Sequence, residues 1–178
     1  MARTATFDTT QGKIVVALAE DDAPLTTANF IELAQAGFYD GLTFHRYEPG
    51  FVIQGGDPSG NGTGGSKKTI KLEISPKLRH NEAGIISMAR SSNPDSASSQ
   101  FYFTLAAAKH LNDNYAAFGN VTSGLDAMLA LRKGDKMNKV TISEGVGAGS
   151  RLACRPDPAS KPGIKMPVYP EKVAPALK

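Results

Sequence analysis

FHRYEPGFVIQGGD, at residues 44–57, is the stretch in which strand pattern and polar groups occur together. Its apolar residues recur at strand-like spacing on both sides of the turn dipeptide Pro49-Gly50. Folded as strand, turn and strand, the stretch would place Phe51, Gln54 and Arg46 around a shallow apolar pocket with few polar groups, as in small-ligand sites. The same pattern also fits an ordinary barrel hairpin with its cation in water, so local sequence leaves both interpretations open.

Length and composition predict one globular domain with a tail. The chain has 178 residues, 40% of them hydrophobic, and a net charge of +3. No run of Lys and Arg alternates with aromatic residues, so we do not expect nucleic acid as a partner. Cys154 is the single cysteine, which excludes an intrachain disulfide. The N-terminus lacks an apolar segment and no stretch is long enough to span a membrane, so we expect a cytoplasmic protein without membrane contact.

The segments before residue 44 predict a hairpin and then a helix. Residues 3–9 and 13–18 are short and β-branched and flank a turn with Gly12. After Pro24 the apolar residues recur at helical spacing, and Gly37 provides a stop. We therefore expect one amphipathic helix lying on an apolar surface.

The segments after residue 57 predict more strands and a second helix. A glycine-rich loop is expected at residues 58–65, a polar loop at 91–99, and a helix from about Ser123 to Lys133. Short strands are expected at Thr69–Ile74, 84–89, Gln100–Leu105, 116–121 and Lys139–Ile142. About eight short strands and two helices predict a mainly β protein, an antiparallel barrel or sandwich capped by helices rather than a βαβ array.

Neither the glycine motif nor the histidines occur in the context that a cofactor or metal site needs. Gly60, Gly62 and Gly65 match GxGxxG, but a β-branched pattern follows where a dinucleotide site needs a helix. The three histidines, His45, His80 and His110, lack the close spacing of metal ligands. We therefore expect neither a cofactor nor a metal.

The composition changes after Glu144. Residues 145–149 are glycine-rich, and six of the eleven prolines lie between Pro156 and Pro175. This pattern predicts a domain at 1–144 and a Gly/Pro-rich extension at 145–178. The extension is either a plain appendage or a segment whose X–Pro sites, such as Met166-Pro167, bind a prolyl groove.

Several stretches together resemble the cyclophilin family of peptidyl-prolyl isomerases in its compact bacterial and plastid form, from about residue 4 to residue 144. The stretches, in the family's order, are NFIELAQAGFYDGLTFHR, PGFVIQGGD, GNGTGG, GIISMAR, SSQFYF and the pair Phe118-Gly119. The resemblance implies an eight-stranded antiparallel closed β-barrel capped by two α-helices. It also implies rotation about X–Pro bonds as the activity, in support of protein folding.

The same resemblance assigns site residues. It implies Arg46 and Gln54 as catalytic residues. Val52 replaces the family's pocket methionine, Arg90 its asparagine, and Tyr102 its pocket phenylalanine. The implied substrate-binding residues are Phe51, Val52, Ala89, Arg90, Gln100, Tyr102, His110, Leu111 and Tyr115.

The resemblance also implies partners. Proline-containing peptides and unfolded proteins are the expected substrates of a monomer. Cyclosporin is expected to bind weakly, because His110 stands where the family's drug-contacting tryptophan would be. A binding module, with the same groove but weak catalysis, is the alternative that Arg90, His110 and Tyr115 suggest.

Overall fold

The computed structural model describes residues 3–60, 62 and 64–143, which contain eight strands, two α-helices and one 3₁₀ turn. The elements in chain order are β1 (Thr4–Thr9), β2 (Gly12–Leu18), α1 (Pro24–Gln35), β3 (Phe44–Glu48), β4 (Val52–Gly55), β5 (Ile85–Met88), β6 (Phe101–Thr104), the 3₁₀ turn (Lys109–Leu111), β7 (Ala117–Ser123), α2 (Leu125–Ala130) and β8 (Met137–Ser143).

All eight strands belong to one curved sheet in the order β3-β4-β6-β5-β7-β2-β1-β8. Every neighbouring pair is antiparallel. The structure confirms the predicted mainly β class, with eight antiparallel strands and two helices. Residues 44–57 form the hairpin β3-β4, as their pattern indicated.

The predicted full closure of the barrel is the point at which the fold differs from expectation. The end strands β3 and β8 form no ladder, and an isolated bridge between Thr43 and Lys136 joins the two ends of the sheet. Farther along β8, the backbone N–H of Val140 donates to the Asp40 carboxylate at 3.1 Å instead of to a strand. The barrel is therefore half open: backbone hydrogen bonds join its ends only between residues 41–44 and 134–137, and beyond them the Asp40 carboxylate accepts from β8.

The main core is a cluster of aromatic rings between the sheet and α1. The ring centroid of Phe7 lies 5.9 Å from that of Phe30, 5.6 Å from Phe101 and 5.4 Å from Phe103. All four side chains are fully buried, and each such burial contributes about 1.5–3 kcal/mol. Phe30 comes from α1, so this cluster fixes the predicted helix on the sheet.

One predicted strand does not form. Residues Thr69–Ile74 make only an isolated bridge between Ile70 and Ala97. The backbone N–H of Leu72 donates to the Asp95 carboxylate at 3.0 Å. The β-branched pattern was misleading here because one backbone bond, from Ile70 N–H to the Ala97 carbonyl at 2.9 Å, and one side-chain acceptor take the place of a strand ladder.

Two element boundaries also differ from those predicted. The second helix spans Leu125–Ala130 rather than residues 123–133, because β7 continues to Ser123 and Gly124 then adopts a left-handed φ of 83°. A Cβ at Gly124 would lie 2.1 Å from the carbonyl oxygen of Lys13, so only glycine fits. The last strand is longer than predicted, Met137–Ser143.

A carboxylate from another segment caps the N-terminus of α1. Ala23 occupies the N-cap position and offers no side-chain acceptor. Glu73 instead accepts hydrogen bonds from the backbone N–H groups of Leu25 at 3.0 Å and Thr26 at 2.8 Å. The negative charge also complements the positive end of the helix dipole. The segment after β4 is thus anchored to α1.

The predicted extension at 145–178, with Cys154 and Met166-Pro167, lies outside the described residues. The division into a domain and an extension stays a prediction. Within the residues that the structure describes, none of the helices is long and apolar enough to cross a bilayer.

Candidate active site

Four side chains form a row across the outer face of neighbouring strands. Arg46 on β3 lies opposite Gln54 on β4, Gln54 lies opposite Tyr102 on β6, and Tyr102 lies opposite Ser87 on β5. Directly opposed residues share a face, with Cβ atoms about 5 Å apart. The alternating residues of the same strands join the main core instead, namely Ile53, Ile86, Phe101 and Phe103. Strand alternation therefore places a cation, an amide and an aromatic ring side by side.

A second apolar cluster, separate from the main core, lies beside this row. Its members are Phe51, Val52, Ala89, Tyr102, Ala108, Leu111 and Tyr115. The structure brings together six of the side chains expected to bind substrate, and Ala108 is the one that sequence reasoning missed. We refer to these seven residues as the outer cluster.

The outer cluster is covered by His110. The seven side chains of the outer cluster are at most 4% exposed. The exposed His110 ring stacks on Phe51 with centroids 5.3 Å apart and planes at 23°. Burial against this ring lowers the pKa of His110 below its ordinary value, so the imidazole is neutral at pH 7. A ligand that reaches Phe51 must displace this ring.

Arg46 lies at one end of the row with partial access to solvent. Its side chain is 17% exposed, and its Nε lies 3.4 Å from Glu48 Oε2, a carboxylate that is 30% exposed. The guanidinium stays charged at any physiological pH. It is a fixed cation at the border of an apolar cluster.

Gln54 and Gln100 form a buried pair of amides behind Arg46. Nε2 of Gln54 donates to Oε1 of Gln100 at 3.0 Å, and Nε2 of Gln100 donates to the carbonyl oxygens of Gly62 at 3.2 Å and Gly64 at 2.7 Å. Oε1 of Gln54 is buried with no hydrogen-bond partner among the described residues. Gln100 therefore anchors the glycine-rich loop, while Gln54 keeps an acceptor available in the row.

Arg90 is folded against the segment that carries Tyr115. Its guanidinium carbon lies 4.6 Å above the Tyr115 ring. Nε and Nη2 donate to the carbonyl oxygen of Asn114 at 3.1 and 2.8 Å, and Nη1 donates to that of Ser91 at 2.9 Å. Arg90 thus joins two loops at the rim of the outer cluster.

His80, which the sequence offered only as an isolated histidine, lies directly behind the outer cluster. It is fully buried, and its Nε2 lies 3.1 Å from the Tyr102 hydroxyl and 3.2 Å from the Ser87 hydroxyl. Burial, above all, lowers the pKa of His80 to about 4. The imidazole is therefore neutral at pH 7. The signal that could have found it is Tyr102, because a buried phenol usually has a hydrogen-bond partner.

The chain matches a protein-family model along most of its described length. The model is that of the cyclophilin type peptidyl-prolyl cis-trans isomerase/CLD family, and it matches residues 4–146. The chain belongs to this cyclophilin-type family. Its members are isomerases that catalyse proline isomerisation and bind proline-containing peptides.

Individual cyclophilins agree with this assignment. Peptidyl-prolyl cis-trans isomerase B of Bacillus subtilis is 48% identical over 130 residues, which are 73% of this chain and 90% of the relative. A peptidyl-prolyl cis-trans isomerase of Helicobacter pylori is 40% identical over 144 residues, 80% of this chain and 88% of the relative.

Solved cyclophilins share the fold. A crystal structure of a cyclophilin type isomerase from Cryptosporidium parvum has a TM-score of 0.77 at 27% identity, covering 82% of this chain and all of the other. A second structure of that protein, in the presence of the dipeptide Ala-Pro, has a TM-score of 0.70 at 29% identity, covering 80% and 99%.

No cluster of metal ligands occurs in the described part of this cyclophilin, where no three His, Cys, Asp or Glu side chains come close enough to hold an ion. All eleven residues expected at the site belong to the row, to the outer cluster or to residues that contact them. Arg46 and Gln54 stand in the row, Gln100 contacts the row, and His110 and Arg90 contact the outer cluster.

Proposed function

We propose that Arg46 catalyses isomerisation by donating hydrogen bonds to the prolyl nitrogen of the substrate. Rotation about an X–Pro bond breaks amide resonance, with a barrier of roughly 18–20 kcal/mol. In the twisted state the nitrogen lone pair is localised and accepts a hydrogen bond that neither planar state can accept. A fixed guanidinium therefore stabilises the transition state more than the ground states, as catalysis requires.

The observation that carries this proposal is the position of Arg46 in one row with Gln54 and Tyr102, beside the outer cluster. The pyrrolidine ring of the substrate packs on Phe51 and displaces the His110 ring that covers it. Val52, Ala89, Leu111 and Tyr115 enclose the ring, and exclusion of water strengthens the hydrogen bond from Arg46. With the pyrrolidine ring held, the carbonyl group of the preceding residue rotates about the X–Pro bond.

Gln54 and Gln100 have different roles in this proposal. The unpaired Oε1 of Gln54 accepts a hydrogen bond from Arg46 or from a substrate N–H, which aligns the two partners. Both ends of the Gln100 amide are bonded within the protein, so Gln100 acts through Gln54 and the loop at 62–64. Arg90 holds the rim, and its neighbouring backbone groups bind the peptide before the proline.

The substrates that fit this groove are proline-containing peptides and unfolded proteins. We propose that the isomerase acts as a monomer in the cytoplasm, without nucleic acid or membrane. Cyclosporin binds weakly in this proposal, because His110 offers less aromatic area than an indole. Phe51 remains available to the drug only when His110 moves.

A proline-limited refolding assay tests the assignment of Arg46. We expect Arg46→Ala to remove most of the acceleration, about a hundredfold, which is the scale of losing one transition-state donor. Arg46→Lys should recover little, since lysine lacks the rigid fork of donors. Activity should be nearly flat between about pH 6 and 9, because the guanidinium does not titrate there.

Arg3→Ala is the matched control for Arg46→Ala. Arg3 also belongs to an ion pair, 2.9 Å from Glu20, but at the start of β1 and away from the row. Its loss should leave the isomerase rate unchanged. Wild-type rates in Arg46→Ala would refute the mechanism.

A further inference from the structure

All the polar groups of His80 are engaged, and together they join it to three segments of the site. Its backbone N–H donates to Oδ1 of Asn112 at 2.6 Å, and its carbonyl accepts from the backbone N–H of Ala108 at 2.8 Å. Ring atom Nδ1 lies 3.0 Å from the same Oδ1 of Asn112. Ring atom Nε2 faces the hydroxyls of Tyr102 and Ser87.

These contacts determine which nitrogen carries the proton. A carboxamide oxygen only accepts, so Nδ1 must donate to Oδ1 of Asn112. The Nδ2 group of Asn112 is directed to Oδ1 of Asn81 at 3.4 Å, which leaves its oxygen towards His80. In the neutral imidazole, Nε2 is then an acceptor. Nε2 therefore accepts from the hydroxyls of Tyr102 and Ser87, of which Tyr102 is the nearer.

The two sides of His80 belong to two walls of the outer cluster. Tyr102 is on β6, whereas Ala108 and Asn112 flank the 3₁₀ turn that carries Leu111. We propose that His80 is a positioning residue, which sets the Tyr102 ring against the turn at Leu111 at the spacing that the substrate proline requires. This proposal rests on the proposed function, because it assigns the proline pocket to the outer cluster.

The environment of Tyr102 explains why its position depends on His80. The side chain is fully buried and its ring meets that of Tyr115 edge to face, with centroids 6.1 Å apart. Without an acceptor on His80, the Tyr102 hydroxyl keeps only the neighbouring Ser87 hydroxyl as a partner, and a poorly paired buried hydroxyl is costly. Loss of the imidazole also removes the link between the Tyr102 ring and the turn at Ala108 and Asn112, so we expect the spacing of the two walls to change.

The test compares His80→Leu, which keeps apolar volume but removes both ring nitrogens, with the double variant His80→Leu/Tyr102→Phe. We expect His80→Leu to raise KM for an Ala-Pro peptide roughly tenfold while kcat changes by less than about twofold, a loss of the size of one buried hydrogen bond. The double variant should recover most of the loss, because it no longer contains the hydroxyl whose acceptor on His80 was removed. His80→Gln, which keeps an acceptor and a donor, should recover part of it.

Val140→Ala is the control for stability alone. Val140 is buried in the main core on β8, away from the outer cluster, and its truncation should lower stability without changing KM. An unchanged KM in His80→Leu would overturn the proposal. So would a double variant no better than His80→Leu.

If His80→Leu does not fold, NMR of the unaltered protein provides the test. Nitrogen NMR of ¹⁵N-labelled histidine should show His80 as the Nδ1–H tautomer, and its ring signals should shift as an Ala-Pro peptide is added. The opposite tautomer, or signals that stay fixed at saturating peptide, would overturn the proposal. These readouts report peptide binding and not catalysis. They therefore still test the role of His80 if Arg46→Ala retains its activity and the proposed role of Arg46 is refuted.

Discussion

Buried His80 should make the stability of the fold depend on pH in a defined window. Its pKa is about 4 in the folded protein, against an ordinary value of 6.5, chiefly because of burial. Between these values the unfolded chain binds a proton that the folded chain does not, so stability increases as pH rises from about 4 to 6.5. The gap corresponds to roughly 3 kcal/mol, a large share of the 5–15 kcal/mol typical of a domain.

Urea unfolding at pH 4.5, 5.5, 6.5 and 7.5 measures this effect. The chain contains no tryptophan, so far-UV circular dichroism is the suitable signal. The wild type should gain stability up to about pH 6.5 and then level off. In His80→Gln this gain should become smaller by the share of His80, with an unchanged slope against urea; the remainder comes from groups such as His45 and His110, whose pKa values burial also lowers.

The difference between wild type and variant isolates the contribution of His80 to the pH dependence of stability from those of other groups. Arg79 and His110 face it and also lower its pKa. The pKa of Glu20 is lowered by its hydrogen bond with Arg3, so that its contribution is lost at more acidic pH, and it is present in both proteins. Equal pH dependence in wild type and His80→Gln would refute the reasoning.

Three other predictions concern stability and ligand choice. Glu73→Gln should lower the free energy of unfolding by about 1 kcal/mol in thermal denaturation, by weakening the cap on α1, with isomerase activity retained; full stability in this variant would contradict the cap. Gly124→Ala should cost at least about 2 kcal/mol, because its Cβ would collide with the carbonyl of Lys13; wild-type urea midpoints would disprove this. His110→Trp should tighten cyclosporin binding by roughly tenfold in calorimetry, by adding aromatic area over Phe51; unchanged affinity would remove His110 as the determinant.

Much of the fold could be predicted from the sequence, because it depends on the spacing of residues that are close together in the chain. The hairpin β3-β4 follows from apolar spacing and the turn at Pro49-Gly50, and α1 follows from the change of period after Pro24. The segment Thr69–Ile74 was misread because its pattern says nothing about which groups satisfy its backbone. Closure of the barrel was misjudged for the same reason, since Asp40 reaches β8 from a distant turn.

The identities of most site residues could be predicted from the sequence, but the contacts that cover and support them could not. The resemblance supplied Arg46, Phe51 and Gln54, and alternation along the strands explains why they share a face. The covering of Phe51 by His110 depends on the geometry of a 3₁₀ turn and could not be read from sequence. His80 was missed because its partners come from three separate segments of the chain.

The incomplete closure of the sheet leaves two edge strands, and these are potential sites of pairing with other chains. On β8 the Asp40 carboxylate occupies the Val140 N–H, and Lys139 lies 3.8 Å from the same carboxylate. On β3 the ion pair of Arg46 and Glu48 places charges at the edge. Charged edges disfavour strand addition by a second copy or by an extended peptide. We therefore expect substitutions at Arg46, the guanidinium that we assign to catalysis, to lower solubility as well as the isomerase rate.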